Sequence, residues 1–385
     1  MQFPEDTTSP TGGPLDLNPE TMDASAIEGY EEPTAGGWEG YPLDELAIRD
    51  ERRSATDVNR RIEQGRFILD PDFQRDFVWD RDKQSRLIES ILLRIPLPVF
   101  YVAEDSGGRL IVVDGRQRLT TIRQFLTGSL TLKLPDREEL HRRKFNDLET
   151  RLQHRIEDCQ LHFYIIDHAV PEKARLDIFE RVNGGEVLTR QQMRNAIFNG
   201  PATAFLREEA NSDIFKLATG SSLNIKKMQD REFVNRFCSF VLFPLDEYKG
   251  DMDDWLAKSL KGINLHARTS PSSERFSCDN LRTLFRRGLA NNVVLFGDQS
   301  FRKHTPGSGR RGLLNASLFD VMCFMLSGVD PSHVLENRQE WRNAFFDLMA
   351  SEAFLRSITY SPNTPNVVRR RFDLAYQRFS KVLND

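Results

Sequence analysis

Residues 109–128 constrain the fold most strongly, because they combine strand, turn and helix signals without a spacer. The apolar run Leu-Ile-Val-Val at 110–113 predicts a buried strand. Asp114-Gly115 is a turn signal. Apolar residues then recur at helical spacing up to Gly128, a residue type that commonly ends helices. The stretch therefore predicts a strand that leads through a tight turn directly into a helix.

Charged groups converge at this turn. Asp114 is followed, after one glycine, by a run of three polar residues, Arg116, Gln117 and Arg118. A helix start favours bound anions through its unpaired N–H groups and partial positive charge. Guanidinium groups match phosphate oxygens, and a carboxylate can hold hydrated Mg²⁺. The pattern predicts a phosphate-handling loop for a nucleotide, or else an Asp-capped helix with solvated arginines.

Composition excludes several classes of protein. The chain has 385 residues, 39% hydrophobic and 29% charged, which fits a globular protein with a core. It contains no apolar run of about 18 residues, so we expect no transmembrane helix and no membrane partner. The N-terminus lacks the features of a signal peptide, and the four cysteines form no CxxC pair. These features together predict a soluble, cytoplasmic protein.

The charge is distributed unevenly along the chain. Residues 1–50 contain twelve acidic residues and one basic residue, so their net charge is −11, whereas the net charge of the whole chain is −4. The remaining residues therefore carry +7, which can attract nucleic acid or be spread over the surface. Residues 1–42 also lack lasting apolar periodicity, which predicts an acidic disordered tail.

The rest of the chain divides into two predicted domains. Within residues 43–170, strands alternate with helical periodicities, and strands are predicted at 67–69, 99–103, 110–113, 130–134 and 161–166. Beyond about residue 201 only helical periodicities remain, at 230–244, 252–262, 278–291, 313–326, 336–349 and 366–383. We therefore predict an α+β fold, with a small mixed domain at 43–170 followed by a mostly helical domain at 171–385.

A second polar pair lies upstream of the turn. Gln74 and Arg75 are flanked by the aromatic residues Phe73, Phe77 and Trp79. Aromatic anchors this close would fix the backbone, so the pair either forms a second arm of the phosphate site or is a surface feature beside a structural anchor.

Two basic clusters in the helical region are candidate contacts to a nucleic-acid backbone. The alternative is that they are ordinary surface residues. The predicted nucleic-acid-binding residues are Arg302, Lys303, Arg310, Arg311, Arg369, Arg370 and Arg371.

Several enzyme signatures are absent from the sequence. It contains no GxxxxGK[ST], HExxH or GxSxG, which argues against a P-loop NTPase, a zinc protease of that type and an α/β-hydrolase. The seven histidines do not fall into metal-ligand spacing. The turn at Asp114 therefore remains the leading candidate site.

Four groups of residues together indicate a family. They are FQR at 73–75 with VW at 78–79, LIESI at 87–91 with IPLP at 95–98, VDGRQRLTTI at 113–122, and IFERVNGG at 178–185 with LT at 188–189 and RNA at 194–196. These motifs resemble the N-terminal domain of GmrSD-type restriction endonucleases, which is related to the ParB/sulfiredoxin-like fold.

The resemblance implies a ParB/sulfiredoxin-like nucleotide-binding domain that binds and hydrolyses an NTP with Mg²⁺, coupled to DNA in a restriction, phage-defence or DNA-processing system. By match of motif, the catalytic residues would be Asp114, Gln117 and Arg118, with Asp114 also the metal ligand. The nucleotide- and phosphate-binding residues would be Gln74, Arg75, Gly115, Arg116, Thr120, Thr121 and Asn183.

Two departures from the family pattern affect these expectations. The usual Asp-Gly-Gln-Gln-Arg reads Asp-Gly-Arg-Gln-Arg, so Arg116 replaces an amide that could position water. The helical C-terminal region also lacks the family's histidine-containing nuclease motif, so a separate nuclease subunit is an expected partner. Two alternatives remain open. One is a non-catalytic DNA-binding adaptor, and the other is a metal-dependent DNA nicking enzyme that uses Asp114 and Glu89.

Overall fold

The structure is a computed structural model, and it describes residues 27–28, 47–69, 79–105, 107–170, 174–175, 178–179, 189–269, 274–304 and 311–384. Of the predicted acidic tail at 1–42, only 27–28 fall within the described residues. Four predicted site residues lie outside them: Gln74, Arg75, Asn183 and Arg310.

A five-stranded mixed sheet forms the N-terminal part of the molecule. Its strands are β2 (Ile48–Ser54), β3 (Phe67–Ile68), β4 (Phe100–Glu104), β5 (Leu110–Asp114) and β6 (Gln160–Ile166), in the order β2-β6-β4-β5-β3. The β2–β6 and β4–β5 pairs are antiparallel, and the β4–β6 and β3–β5 pairs are parallel. A separate parallel pair joins β1 (Ile27–Glu28) to β7 (Leu314–Asn315).

Four helices accompany this sheet, namely α1 (Ala55–Glu63), α2 (Arg81–Leu92), α3 (Arg116–Leu126) and α4 (Thr150–Glu157). Two begin at side-chain caps that the sequence encodes. The Ser54 hydroxyl accepts a hydrogen bond from the Asp57 N–H at 3.2 Å, and the Asp80 carboxylate accepts one from the Lys83 N–H at 2.8 Å. Such caps satisfy backbone donors that the first helical turn leaves unpaired.

Both faces of β5 are buried. Successive side chains of a strand point to opposite faces. In β5, Leu110 and Val112 pack into the core formed with α1–α4, whereas Ile111 and Val113 pack toward the helical part of the chain. This two-sided burial explains why 110–113 is a continuous apolar run rather than an alternating one.

The described residues from 189 onward are mostly helical, which confirms the predicted α+β class. The helices are α5 (Arg190–Ile197), α6 (Pro201–Ala210), α7 (Asp213–Thr219), α8 (Gln229–Leu242), α9 (Met252–Thr269), α10 (Cys278–Phe296), α11 (Ala316–Ser327), α12 (Pro331–Glu336), α13 (Arg338–Ala350), α14 (Glu352–Thr359) and α15 (Pro365–Asn384). All six predicted C-terminal helices are present, and α6, α7, α12 and α14 are additional. Within the described ranges, no helix has the length and apolarity needed to cross a lipid bilayer.

The predicted strand at 130–134 is wrong. Its alternating leucines are buried, but the segment forms no regular strand. Leu132 exchanges backbone hydrogen bonds with Arg142 and Arg143, both at 2.9 Å. The apolar alternation therefore reports burial of one side of an irregular segment.

Candidate functional site

The predicted strand–turn–helix is present at Asp114. Strand β5 ends at Asp114, and α3 begins at Arg116, directly after Gly115. Gly115 has φ of +94°, and a Cβ at this position would lie 2.3 Å from Cδ1 of Phe100. Both the left-handed backbone and the close approach of the ring require glycine.

The Arg118 side chain is held inside this turn. Its Nη2 lies 2.8 Å from Oδ2 of Asp114 and donates to the Val99 carbonyl oxygen at 3.1 Å, while Nη1 donates to the Pro98 carbonyl. The guanidinium carbon lies 4.4 Å from the centre of the Phe100 ring. The side chain is only 11% exposed. Arg118 therefore fixes the Asp114 carboxylate and the chain before β4.

Burial lowers the pKa of the Arg118 guanidinium, and the neighbouring Asp114 carboxylate partly opposes that shift. Asp114 itself remains accessible, with 37% of its side chain exposed. It pairs with Tyr101 across β4, beside a register shift between Tyr101 and Val102. The Asp114 carboxylate is thus fixed by Arg118 at the end of β5 and remains accessible to solvent.

Gln117 connects the turn with the chain upstream. Its Oε1 accepts a hydrogen bond from the Trp79 N–H at 3.4 Å. Trp79 closely follows Gln74 and Arg75 in the sequence, although those two residues lie outside the described ones. Gln117 therefore joins α3 to Trp79, just before the start of α2.

The other residues predicted for the loop differ in exposure. Arg116 and Thr120 are half-buried on the first turns of α3. Thr121 is fully buried, and its hydroxyl donates to the Gln117 carbonyl oxygen at 2.8 Å. The prediction that Thr121 contacts a phosphate is therefore wrong, because its buried hydroxyl donates to the backbone of its own helix.

The first predicted basic cluster is largely internal. Arg302 is 1% exposed and donates to the Thr219 carbonyl at 2.9 Å and the Ser222 hydroxyl at 2.7 Å. Lys303 donates to Thr359 at 2.7 Å and forms an ion pair with Glu28. The prediction that Arg302 contacts nucleic acid is wrong, because the side chain is buried. Arg311 is exposed and donates to the Asp298 carbonyl at 3.2 Å.

The second cluster does not present three cations on one surface. Arg371 is fully buried, and its Nη1 donates to the Ser357 and Pro362 carbonyls at 3.3 and 3.1 Å. The prediction that Arg371 contacts nucleic acid is wrong, because the side chain is buried. Arg369 is half-buried and donates to the Asp246 carbonyl, whereas Arg370 is exposed.

Asp114 belongs to no group of three potential metal ligands among the described residues. Glu104, Asp167 and His168 form a group of that kind, with ligand atoms within 4.8 Å of one another. Arg49 lies 2.5 Å from Glu104 and neutralises charge there. Glu89, the residue considered as a second ligand beside Asp114, accepts from Arg137 at 2.9 Å. These contacts give the nicking alternative no support.

Sequence reasoning missed a basic groove of about 670 Å³ beside the sheet. Its cations come from the end of α2 and from α4, which are distant in the sequence. No motif spacing joins them, so the sequence offered no signal for this groove.

A small mixed sheet with a charged strand–turn–helix, followed by a helical region, defines an α+β domain with a helical extension. Residues 56–199 match the family model described as GmrSD restriction endonuclease, N-terminal domain. This match confirms the resemblance of that part of the chain to the GmrSD N-terminal domain. No curated protein and no solved structure matches the chain.

Proposed function

We propose that this chain is a nucleotide-binding and NTP-hydrolysing subunit of a restriction or phage-defence system. The observation that carries the proposal is the Asp114 carboxylate, which is 37% exposed and fixed 2.8 Å from Arg118 beside the start of α3. The family match over residues 56–199 supports the same assignment.

The turn has the chemistry that a triphosphate needs. Gly115 places no side-chain cap on α3, and a helix start stabilises anions through its N–H groups and dipole. Arg116 adds a cation at the first helical position. The phosphates would therefore lie against the first turn of α3, next to Asp114.

Magnesium fits this donor set. Mg²⁺ commonly uses one or two carboxylates together with phosphate oxygens and water, so Asp114 can serve as its protein ligand. When bound, the metal would neutralise charge on the phosphates. Asp114 would hold the metal or orient water, Gln117 would position the attacking water, and Arg118 would keep Asp114 in place. Such catalysis depends on positioning and charge rather than on covalent chemistry.

The proposal is tested by NTP turnover and thermal shift with each of the four NTPs and Mg²⁺. Wild-type protein should be stabilised by one or more NTPs and should release phosphate. Asp114→Asn should abolish turnover and retain its fold, whereas Asp254→Asn, an exposed carboxylate on α9, should behave as wild type. Absence of wild-type turnover with every NTP, with and without DNA, would contradict hydrolysis.

Arg116 offers a sharper test of the catalytic step. Arg116→Gln restores the family sequence at this position and replaces a cation by an amide that can orient water. Turnover should therefore rise while NTP affinity falls. A variant that loses affinity without gaining turnover would show that Arg116 does not limit hydrolysis.

The second candidate function is a DNA-binding adaptor without catalysis. The basic groove beside the sheet favours it, because its cations do not depend on the Asp114 turn. Wild-type protein that binds DNA, and does so equally well after Asp114→Asn, but hydrolyses no NTP would support this candidate.

A further inference from the structure

A groove of about 670 Å³ opens between the end of α2 and α4. Three arginines and a histidine face a single acidic residue in its lining, and these are Arg94, Arg151, Arg155, His154 and Asp158. With the histidine neutral, the charged lining residues sum to +2. The groove is therefore a concave, positively charged surface.

Two of these cations are available to a ligand. Arg94 and Arg151 are exposed, and neither forms an ion pair with any residue in the described ranges. Arg155 is half-buried and donates to the Leu92 carbonyl at 3.2 Å, so it closes the end of α2. Arg94 and Arg151 thus supply the accessible charge, and Arg155 holds the two helices together.

Arg94 adopts a conformation that arginine rarely takes. It follows the last turn of α2 with φ of +60°, while Arg94 N–H donates to Ile91 at 3.0 Å and Ile95 N–H donates to Ser90 at 2.9 Å. This pattern is a Schellman motif, in which the left-handed position is usually glycine. A non-glycine residue at this position strains the backbone. The chain retains a strained arginine at the position that lines the groove.

The groove also has an apolar floor, formed by Ile95, Pro96 and Leu97. Ile95 is 52% exposed. A sugar–phosphate backbone alternates anionic phosphates with apolar sugar carbons. It can therefore contact the floor and the guanidinium groups at once, which a free phosphate ion cannot do.

We propose that this groove binds the phosphate backbone of DNA, with Arg94 and Arg151 as its principal phosphate contacts. Guanidinium groups bind phosphate through paired N–H donors, and each such contact releases counterions from the nucleic acid. The inference rests on the proposed function in one respect, since it locates the DNA partner of the nucleotide-binding subunit.

The groove is separate from the Asp114 turn but close to it in the chain. Residues 95–97 line the groove, and the next two residues, Pro98 and Val99, accept hydrogen bonds from Arg118. Variants for testing the groove should therefore avoid 95–99, because a change there would also disturb Asp114.

The test uses the full chain with Arg94→Asn and Arg151→Gln combined. Asparagine tolerates the left-handed conformation, so the first change removes charge without added strain. The matched control combines Arg86→Gln and Arg123→Gln, two exposed arginines of α2 and α3 that do not line the groove. Binding of a labelled DNA duplex is followed by fluorescence anisotropy at several salt concentrations.

In the groove variant, DNA affinity at about 0.1 M salt should fall roughly tenfold for each side chain removed, and the salt slope should decrease by about two. The control should retain the wild-type affinity and slope. Unchanged binding in the groove variant, or an equal loss in the control, would overturn the proposal. Displacement of DNA by poly-glutamate at equal charge would also overturn it, because the groove would then be a general polyanion site.

The same proteins separate this inference from the proposed function. Thermal shifts with NTP and Mg²⁺ should be equal in the wild type and the groove variant. Lost DNA binding with no NTP shift in any protein would support the groove and contradict the nucleotide site. An NTP-induced thermal shift together with undiminished DNA binding by the groove variant would support the nucleotide site and contradict the groove.

Discussion

Arg118 forms an ion pair with Asp114 at 2.8 Å, and the same guanidinium donates to the two carbonyl groups that precede β4. One side chain therefore ties the end of β5 to the start of its neighbour. The motif resemblance implied a catalytic role for Arg118. In the structure Arg118 positions Asp114, because its guanidinium bonds to the Asp114 carboxylate and to the Pro98 and Val99 carbonyls.

We predict that Arg118→Ala lowers the free energy of unfolding by about 1–3 kcal/mol, since it removes the ion pair with Asp114 and the hydrogen bonds to the Pro98 and Val99 carbonyls. Urea unfolding of the variant and of Arg123→Ala, an exposed residue of the same helix, measures the difference. Equal stability of the two variants would refute the anchoring role.

Gly115 provides a second test of the turn. Gly115→Ala should destabilise the protein by about 2 kcal/mol or more, because the new Cβ would lie 2.3 Å from the Phe100 ring at φ of +94°. Gly128→Ala is the matched control, since Gly128 also has positive φ, of +73°, but open space around it. That change should cost only about 1 kcal/mol. Similar losses in urea unfolding would show that backbone strain alone requires glycine at 115.

The strand, turn and helix around Asp114 could be predicted because their signals are local. The apolar run at 110–113, the glycine at 115 and the helical spacing that follows all act within twenty residues. The six C-terminal helices were found for the same reason. The segment at 130–134 was predicted wrongly, because buried and exposed residues alternate there as in a strand although no regular strand forms.

The basic residues show where such reasoning fails. Arg302 lies in a predicted loop, and Arg371 lies in a charged stretch of the predicted helix at 366–383. Only the packing of distant helices buries them. Arg94 and Arg151 form a groove only because α2 and α4 lie side by side. A count of charges along the chain therefore cannot separate internal arginines from those that can reach DNA.

The neighbours Arg370 and Arg371 make this distinction testable. Arg371 is fully buried 3.6 Å from Asp320, which is itself paired with Arg236 at 2.6 Å. Burial lowers the pKa of Arg371 to about 10. Arg371→Gln should lower the free energy of unfolding by roughly 3 kcal/mol, because it disrupts a buried charge network.

Arg370→Gln should be within about 0.5 kcal/mol of wild type, because Arg370 is exposed. Chemical unfolding of both variants provides the measurement. DNA binding by folded Arg371→Gln should equal that of wild type. A selective loss of DNA affinity in this variant would restore a direct role for Arg371.

His304 gives a prediction for pH. Its ring lies 5.2 Å from Phe296 and 5.3 Å from Phe345, between ring centres, and burial lowers its pKa below the usual 6.5. The unfolded chain therefore binds a proton at this histidine at a higher pH than the folded protein does. Its contribution to stability is complete above pH 6.5 and is lost as the pH falls toward the lower folded-state value.

His304→Phe should therefore show a smaller loss of unfolding free energy between pH 7.5 and pH 5.5 than wild type, by at most about 1.4 kcal/mol per pH unit. Urea unfolding at the two pH values measures this difference. His154→Gln, at an exposed histidine, is the control and should keep the wild-type pH dependence. If His304→Phe also keeps it, another group accounts for the acid sensitivity, and the buried ring is protonated as readily in the folded protein as in the unfolded chain.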